Sequence, residues 1–179
     1  LNDPSLSDDG NLLAFTSSAA LLAADTDAVA DVYRIDLRTR ELVLASAGAS
    51  AACRNPRIAR RGSAVAFECG GTVPAQRAAK AAPVPGAVVY LYDLIQRKFE
   101  TVSKPAGTGS ANGGSNIQGI SSDGSRVLFG SDASNLVGGG TNGSTDPFPV
   151  DRNAGAAPQR VATQANGAAP IVVPEVNYT

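Results

Sequence analysis

Apolar and polar residues alternate along this chain in short runs, and the runs recur. Pro4-Ser-Leu-Ser-Asp-Asp-Gly-Asn-Leu-Leu-Ala-Phe15 is echoed by Pro56-Arg-Ile-Ala-Arg-Arg-Gly-Ser-Ala-Val-Ala-Phe67 and again by Gln118-Gly-Ile-Ser-Ser-Asp-Gly-Ser-Arg-Val-Leu-Phe129. Each copy opens on a short run carrying Leu6, Ile58 or Ile120 and turns at Gly10, Gly62 or Gly124. It then alternates through Leu13 and Phe15, Val65 and Phe67, or Val127 and Phe129. A period of two on either side of a turn predicts a β-hairpin. Asp9-Gly10 and Asp123-Gly124 are turn dipeptides, and glycine takes positive φ without a Cβ clash. In the second copy Arg60-Arg61 replaces the acidic turn, and Gly62 alone carries it.

A second echo follows each hairpin: Asp31-Val-Tyr-Arg-Ile-Asp-Leu37, Val88-Val-Tyr-Leu-Tyr-Asp-Leu94 and Asp146-Pro-Phe-Pro-Val-Asp-Arg152. Its β-branched and aromatic residues predict a third strand. A turn at residues 38–40 or 95–97 leads to a fourth, Leu42-Val-Leu44 or Phe99-Glu-Thr-Val102, with Gln159-Arg-Val-Ala-Thr163 in the third copy. The turn glycines lie 52 and 62 residues apart, and a period near 50 marks a propeller or a similar array. Four strands are the content of one propeller blade. The expected fold is all-β: one domain over residues 1–179 of three four-stranded antiparallel blades, at about 4–46, 56–103 and 117–163, with a strand or tail at 164–179.

The order Ser-x-Asp-Gly, apolar run, Phe, long loop, Asp-Val-Tyr-x-x-Asp-Leu resembles the TolB-type, WD40-like β-propeller repeat of bacterial envelope and secreted proteins. The third copy is nearest, through Ser122-Asp-Gly-Ser-Arg-Val-Leu-Phe129, Ser131-Asp-Ala-Ser-Asn-Leu-Val137, Thr141-Asn-Gly143 and Asp146. The resemblance spans about residues 4–163 and implies a periplasmic or extracellular propeller. It departs at Pro147 and Pro149, which cannot donate to a ladder, so that strand is expected to be irregular or edge-like. An Ala/Pro insertion at 78–86 interrupts the second copy, a Gly-rich linker at 104–114 joins the second to the third, and Ile171-Val-Val173 could form one more strand.

Three blades are too few to close, since propellers typically hold about four to eight. An open stack leaves a bare face, to be completed by a longer parent chain, by a partner protein or by a second copy. The chain begins at Leu1 with no methionine and reads as a mature or trimmed product. No apolar run approaches the ~18 residues of a membrane helix.

Cys53 and Cys69 stand equidistant from the turn at Arg61 and so face each other across the second hairpin, at a separation a disulfide can span. A bridge would imply an oxidising compartment; the alternative is two buried thiols. Lys plus Arg number 15 against 16 Asp plus Glu, with no basic stripe for nucleic acid.

The absence of histidine removes imidazole-based catalytic triads and His-ligated zinc. The propeller-bearing peptidases keep their triad in a separate domain, for which this chain has no room. Gly138–Gly143 is a loop without the strand and helix of a phosphate site. The best remaining chemistry is an acidic loop, Asp25, Asp27 and Asp31, whose carboxylates suit a hard cation such as Ca²⁺; their other role is to cap turns. In the third copy Asn142 and Asp146 match two of these slots while Gly140 replaces the first. Two Asn-x-Ser/Thr patterns, at Asn142 and Asn177, matter only where the source glycosylates asparagine.

The chain is therefore expected to be a non-enzymatic interaction module, an accessory subunit of an envelope or extracellular assembly. It is expected to use no resident cofactor and to have protein partners. The alternative is a ligand- or Ca²⁺-binding propeller, or the non-catalytic propeller of a hydrolase.

Overall fold

The computed structural model describes residues 1–49, 51–70, 86–105, 109–138, 144–154 and 158–160. Among them are eleven strands and no helix. β1 (Asn2–Leu6), β2 (Leu12–Ser17), β3 (Asp31–Asp36) and β4 (Leu42–Leu44) form the first sheet. The second contains β5 (Cys53–Ile58), β6 (Ala64–Cys69), β7 (Val88–Asp93) and β8 (Lys98–Thr101). β9 (Ser115–Ile120), β10 (Arg126–Ser131) and β11 (Asp146–Asp151) form the third. Each sheet is an antiparallel meander in chain order, and the first strands β1, β5 and β9 run side by side where a propeller has its axis.

The echoed turn residues have a common cause. Gly10, Gly62 and Gly124 all have positive φ, at 69°, 74° and 77°. Asp9 accepts from the Ser7 hydroxyl at 2.7 Å and from the Asn11 backbone at 3.1 Å. Asp123 accepts likewise from Ser121 at 2.7 Å and from the Ser125 backbone at 2.9 Å. These bonds favour the charged form. The Asp9 carboxyl is lowered to about 2, by the Ser7 bond first, and Asp123 is held well below the carboxylate range, by the Ser121 bond first. The aspartates closing the second echo cap the next turn: Asp36 accepts from the backbones of Arg38 and Thr39, Asp93 from Ile95 and Gln96, and Asp151 from Asn153 and Ala154. Such bonds from an Asp to residues two and three ahead are the Asx turn. The basic middle turn serves instead as a bridge: the Arg60 carbonyl accepts from Asp8 N at 2.9 Å, and Arg61 N donates to the Ser122 carbonyl at 2.9 Å.

Pairing register assigns every side chain to one of two faces. One face of each sheet carries the large residues: Leu13, Phe15 and Tyr33; then Val65, Phe67 and Tyr90; then Val127, Phe129 and Phe148. On the other face the second strand carries alanines, Ala14 in the first sheet and Ala64 and Ala66 in the second, beside Val32 and Arg34 or Val89 and Leu91 of the third strand. The second sheet's aromatic face packs on the first sheet's small face in a core with Ala14, Val32, Phe67 and Tyr90. The third sheet's aromatic face packs on the second's small face through Ala64, Ala66, Leu91, Phe129 and Phe148. Both junctions therefore run in the same direction.

Polar bonds fix the same junctions. Buried Glu68 on β6 takes the backbone N–H of Ile117 on β9 at 2.8 Å, the Asn55 amide at 2.9 Å and Arg54 at 3.1 Å. Arg152 of the third sheet donates to Glu100 at 2.9 Å and to Asp93 at 3.0 Å in the second, and to the Gly124 carbonyl at 2.8 Å. Burial alone would raise the Asp93 carboxyl, but bonds from Gln96 and Arg152 overcome it and hold the group below its ordinary value.

Cys53 and Cys69 are paired in register and joined in a disulfide. The proline-containing strand is edge-like rather than irregular: β11 pairs with β10 along all six residues. Gln159 N donates to the Pro149 carbonyl at 3.2 Å, so the nitrogens of Pro149 and of Pro147, two residues away, face outward from β10, where their missing donors interrupt no bond to it. Most of the expected fourth strand of this sheet (161–163), most of the insertion at 78–86, the strand at 171–173, and Asn142 and Asn177 lie outside the described residues.

Arg152→Ala is expected to lower the stability by about 2 kcal/mol, the scale of a few charge-assisted hydrogen bonds at a mostly buried site, and to shift the urea midpoint without changing its slope.

Candidate functional site

The acidic loop between β2 and β3 is the one group of three or more Cys, Asp and Glu side chains placed to hold a metal among the described residues. One carboxylate oxygen from each of Asp25, Asp27 and Asp31 lies within 4.8 Å of the other two, with Asp25 and Asp31 buried and Asp27 exposed. Local bonds shape the loop: Asp25 accepts from the Asp27 backbone at 3.4 Å, and Asp27 from the Val29 backbone at 3.0 Å. These are the turn-capping bonds expected of such residues, and they gather the three carboxylates as well.

Two residues that the sequence reading did not single out hold this loop. The Tyr33 hydroxyl donates to Asp25, and accepts from Leu21 N at 3.2 Å. The Ser46 hydroxyl donates to Asp31 at 2.5 Å and accepts from Val32 N at 2.9 Å. Ser103 accepts from Val89 N in the same way in the second sheet, so the recurrence of serine just beyond the fourth strand was the available signal for Ser46.

The electrostatics of the loop are unfavourable to its own charges. Burial raises the Asp31 carboxyl; the Asp25 and Asp27 charges push it the same way, and the Ser46 bond offsets only part. Burial, then the bond to Asp25, raises Tyr33 to about 12. Chemically the three carboxylates offer part of the oxygen shell of a hard cation, which takes about six to eight ligands. In the third sheet Asp146 faces Arg160 at 3.4 Å; residues 140 and 142 are outside the described set.

The other candidate surfaces are the two outward faces of the stack. On the first sheet's aromatic face Leu13, Ile35 and Leu42 are half-buried, with the β2–β3 loop leaning on that face through Leu22. On the third sheet's opposite face Leu128 is 37% exposed, beside half-buried Pro147 and Pro149 and the Arg126–Asp151 ion pair. No helix of the described residues is long and apolar enough to cross a membrane.

Comparison with solved structures places this architecture. The chain is similar to TolB from Acinetobacter baumannii, with 19% identity over 89% of this chain and 32% of that one, at a TM-score of 0.52. The fold is a partial β-propeller. The chain also resembles the β-propeller domain of the Trilobed protease from Pyrococcus furiosus, at 16% identity, 88% and 41% coverage and a TM-score of 0.53. For a putative TolB from Agrobacterium tumefaciens the values are 12%, 87% and 47%, and 0.51. The chain thus spans between a third and a half of these proteins. The similar structures include both TolB and protease propellers. No family model and no curated protein matches the chain.

Asp31→Asn keeps an oxygen for Ser46 and removes a charge that burial disfavours. Because the folded carboxyl is raised, Asp31 costs stability at neutral pH, and the cost vanishes as pH falls through the raised value to the ordinary 3.8. In metal-free buffer the variant is expected to melt higher at pH 7, on the order of a few degrees. The gain should be gone near pH 3.5, where Asp9, Asp36, Asp93 and Asp123, all lowered, begin to lose their own contributions with the opposite sign.

Proposed function

We propose that this chain is a non-enzymatic protein-interaction module, an accessory part of a periplasmic or extracellular assembly. The observation that carries the reading is the pair of outward blade faces, one with half-buried Leu13, Ile35 and Leu42 and the other with exposed Leu128. Among the described residues neither face is covered by a further sheet, and exposed apolar side chains at such a face favour association. The absence of histidine supports the non-enzymatic side: a hydrolase built on this propeller would draw its catalytic groups from elsewhere. The Cys53–Cys69 bridge supports an oxidising compartment. A TolB-like fold is compatible with an envelope role without specifying one.

The test is affinity isolation of the tagged 179-residue chain from envelope and secreted fractions, in calcium and in chelator, beside assays on peptide and ester substrates. The reading predicts a stoichiometric protein complex and no turnover. Turnover by the chain alone, or a monomer that leaves every fraction with a bound small molecule and no protein, would overturn it. A complex formed in calcium only would assign the Asp25, Asp27 and Asp31 loop to the partner interface.

A further inference from the structure

The Cys53–Cys69 bridge fills a slot that the third blade fills without one. Ser115 and Ser131 stand 62 residues on from Cys53 and Cys69, the spacing that separates Gly62 from Gly124. Each pair joins the first residue of a blade's first strand to the last residue of its second, and each is paired in register. In the second blade a covalent bond links the two side chains. In the third, the Ser115 hydroxyl donates to that of Ser131 at 2.9 Å. All four residues are buried.

The backbone around the two slots is bonded alike. Cys53 N donates to the Ala30 carbonyl of the preceding blade at 2.6 Å, and Ser115 N to that of Ala87 at 2.8 Å. Gly70 N donates to the Ala52 carbonyl at 3.2 Å, and Asp132 N to the Gly114 carbonyl at 3.2 Å. The frame has the same form whether a sulfur–sulfur bond or a hydrogen bond spans it.

We propose that the Cys53–Cys69 bond is a redox-sensitive staple and not a folding requirement: the two-thiol form of the chain keeps the three-sheet fold at a lower stability than the disulfide form. A disulfide acts mainly on the unfolded chain, whose freedom it restricts, so the native bonds around the slot do not depend on it. Reduced cysteine is a small, mostly apolar side chain, and both cysteines lie in the core with Ala14, Val32, Phe67 and Tyr90. The Cys53 sulfur is 3.6 Å from the Ala51 carbonyl, so the freed thiol has an acceptor. Reduction by a dithiol balances within the pair. Its thiolate attacks one sulfur and the S–S bond breaks through a mixed disulfide. Its second thiol then closes a cyclic disulfide, and Cys53 and Cys69 each keep a proton. Because both cysteines are buried, exchange waits on local opening of the hairpin end, and each form persists once made.

The test compares the 179-residue chain with and without dithiothreitol, beside two double variants. The reduced chain and Cys53→Ser/Cys69→Ser are each expected to keep the near-ultraviolet tyrosine signal and one cooperative urea transition, with a lowered midpoint. Ser115→Cys/Ser131→Cys, held in oxidised glutathione, is expected to close a second bridge. Its intact mass should show the loss of two further hydrogens, no thiol should alkylate without reductant, and the urea midpoint should rise.

Loss of the cooperative transition in either bridge-free chain would overturn the inference. So would a Ser115→Cys/Ser131→Cys chain that unfolds or retains two alkylatable thiols, because the two slots would then differ in geometry. A midpoint unmoved by reduction would overturn it as well, since the bond would then staple nothing.

Discussion

Everything in this fold depends on a large face meeting a small one. A β-sheet of alternating residues has two faces, and in a stack of sheets both must be covered. Here Phe67 and Tyr90 lie against Ala14 and Val32, and Phe129 and Phe148 against Ala64 and Ala66. Interiors pack as densely as organic crystals, so bulk on one side requires its absence on the other. The turns follow from this constraint, since Gly62 and Gly124 bring backbone close to the preceding blade. So do the polar clamps, Glu68 with Ile117 and Arg152 with Asp93 and Glu100, which set the spacing that the side chains fill.

Much of this was legible in the sequence because local rules and the global fold agree. The period of two, the turn glycines with their positive φ, and the Ser-x-Asp-Gly and closing Asp motifs each correspond to a hydrogen-bonded turn or an alternating strand. The facing of Cys53 and Cys69 was legible for the same reason: a hairpin's register follows from its turn. The direction of stacking was not, because alternation says that a strand has two faces without saying which neighbour each one meets. The place of Pro147 and Pro149 also needed the register, which turns their missing donors outward from β10. Tyr33 and Ser46 were missed because their partners, Asp25 and Asp31, are distant in sequence, and a tyrosine or serine at a strand position reads first as a packing or capping residue.

The acidic loop shows the opposite balance. Asp31 is buried beside two other carboxylates and its carboxyl is raised, so its charge costs stability that the Ser46 bond only partly restores. A local cost of this kind, in a fold otherwise consistent from turn to core, marks a place shaped by something other than stability. The loop leans on the first blade's aromatic face, where Phe15 and Tyr33 are buried, and so joins the acidic cluster to that blade's core.

The most direct test of the stacking account is the stability of Ala66→Leu. This change writes at an internal junction the residue that Leu128 already presents at the same repeat position on the outer face. If the large-on-small constraint holds, the variant loses about 1–3 kcal/mol by overpacking against the third blade, read as a lowered urea midpoint. A variant as stable as the parent would mean that the second and third blades do not meet in this way.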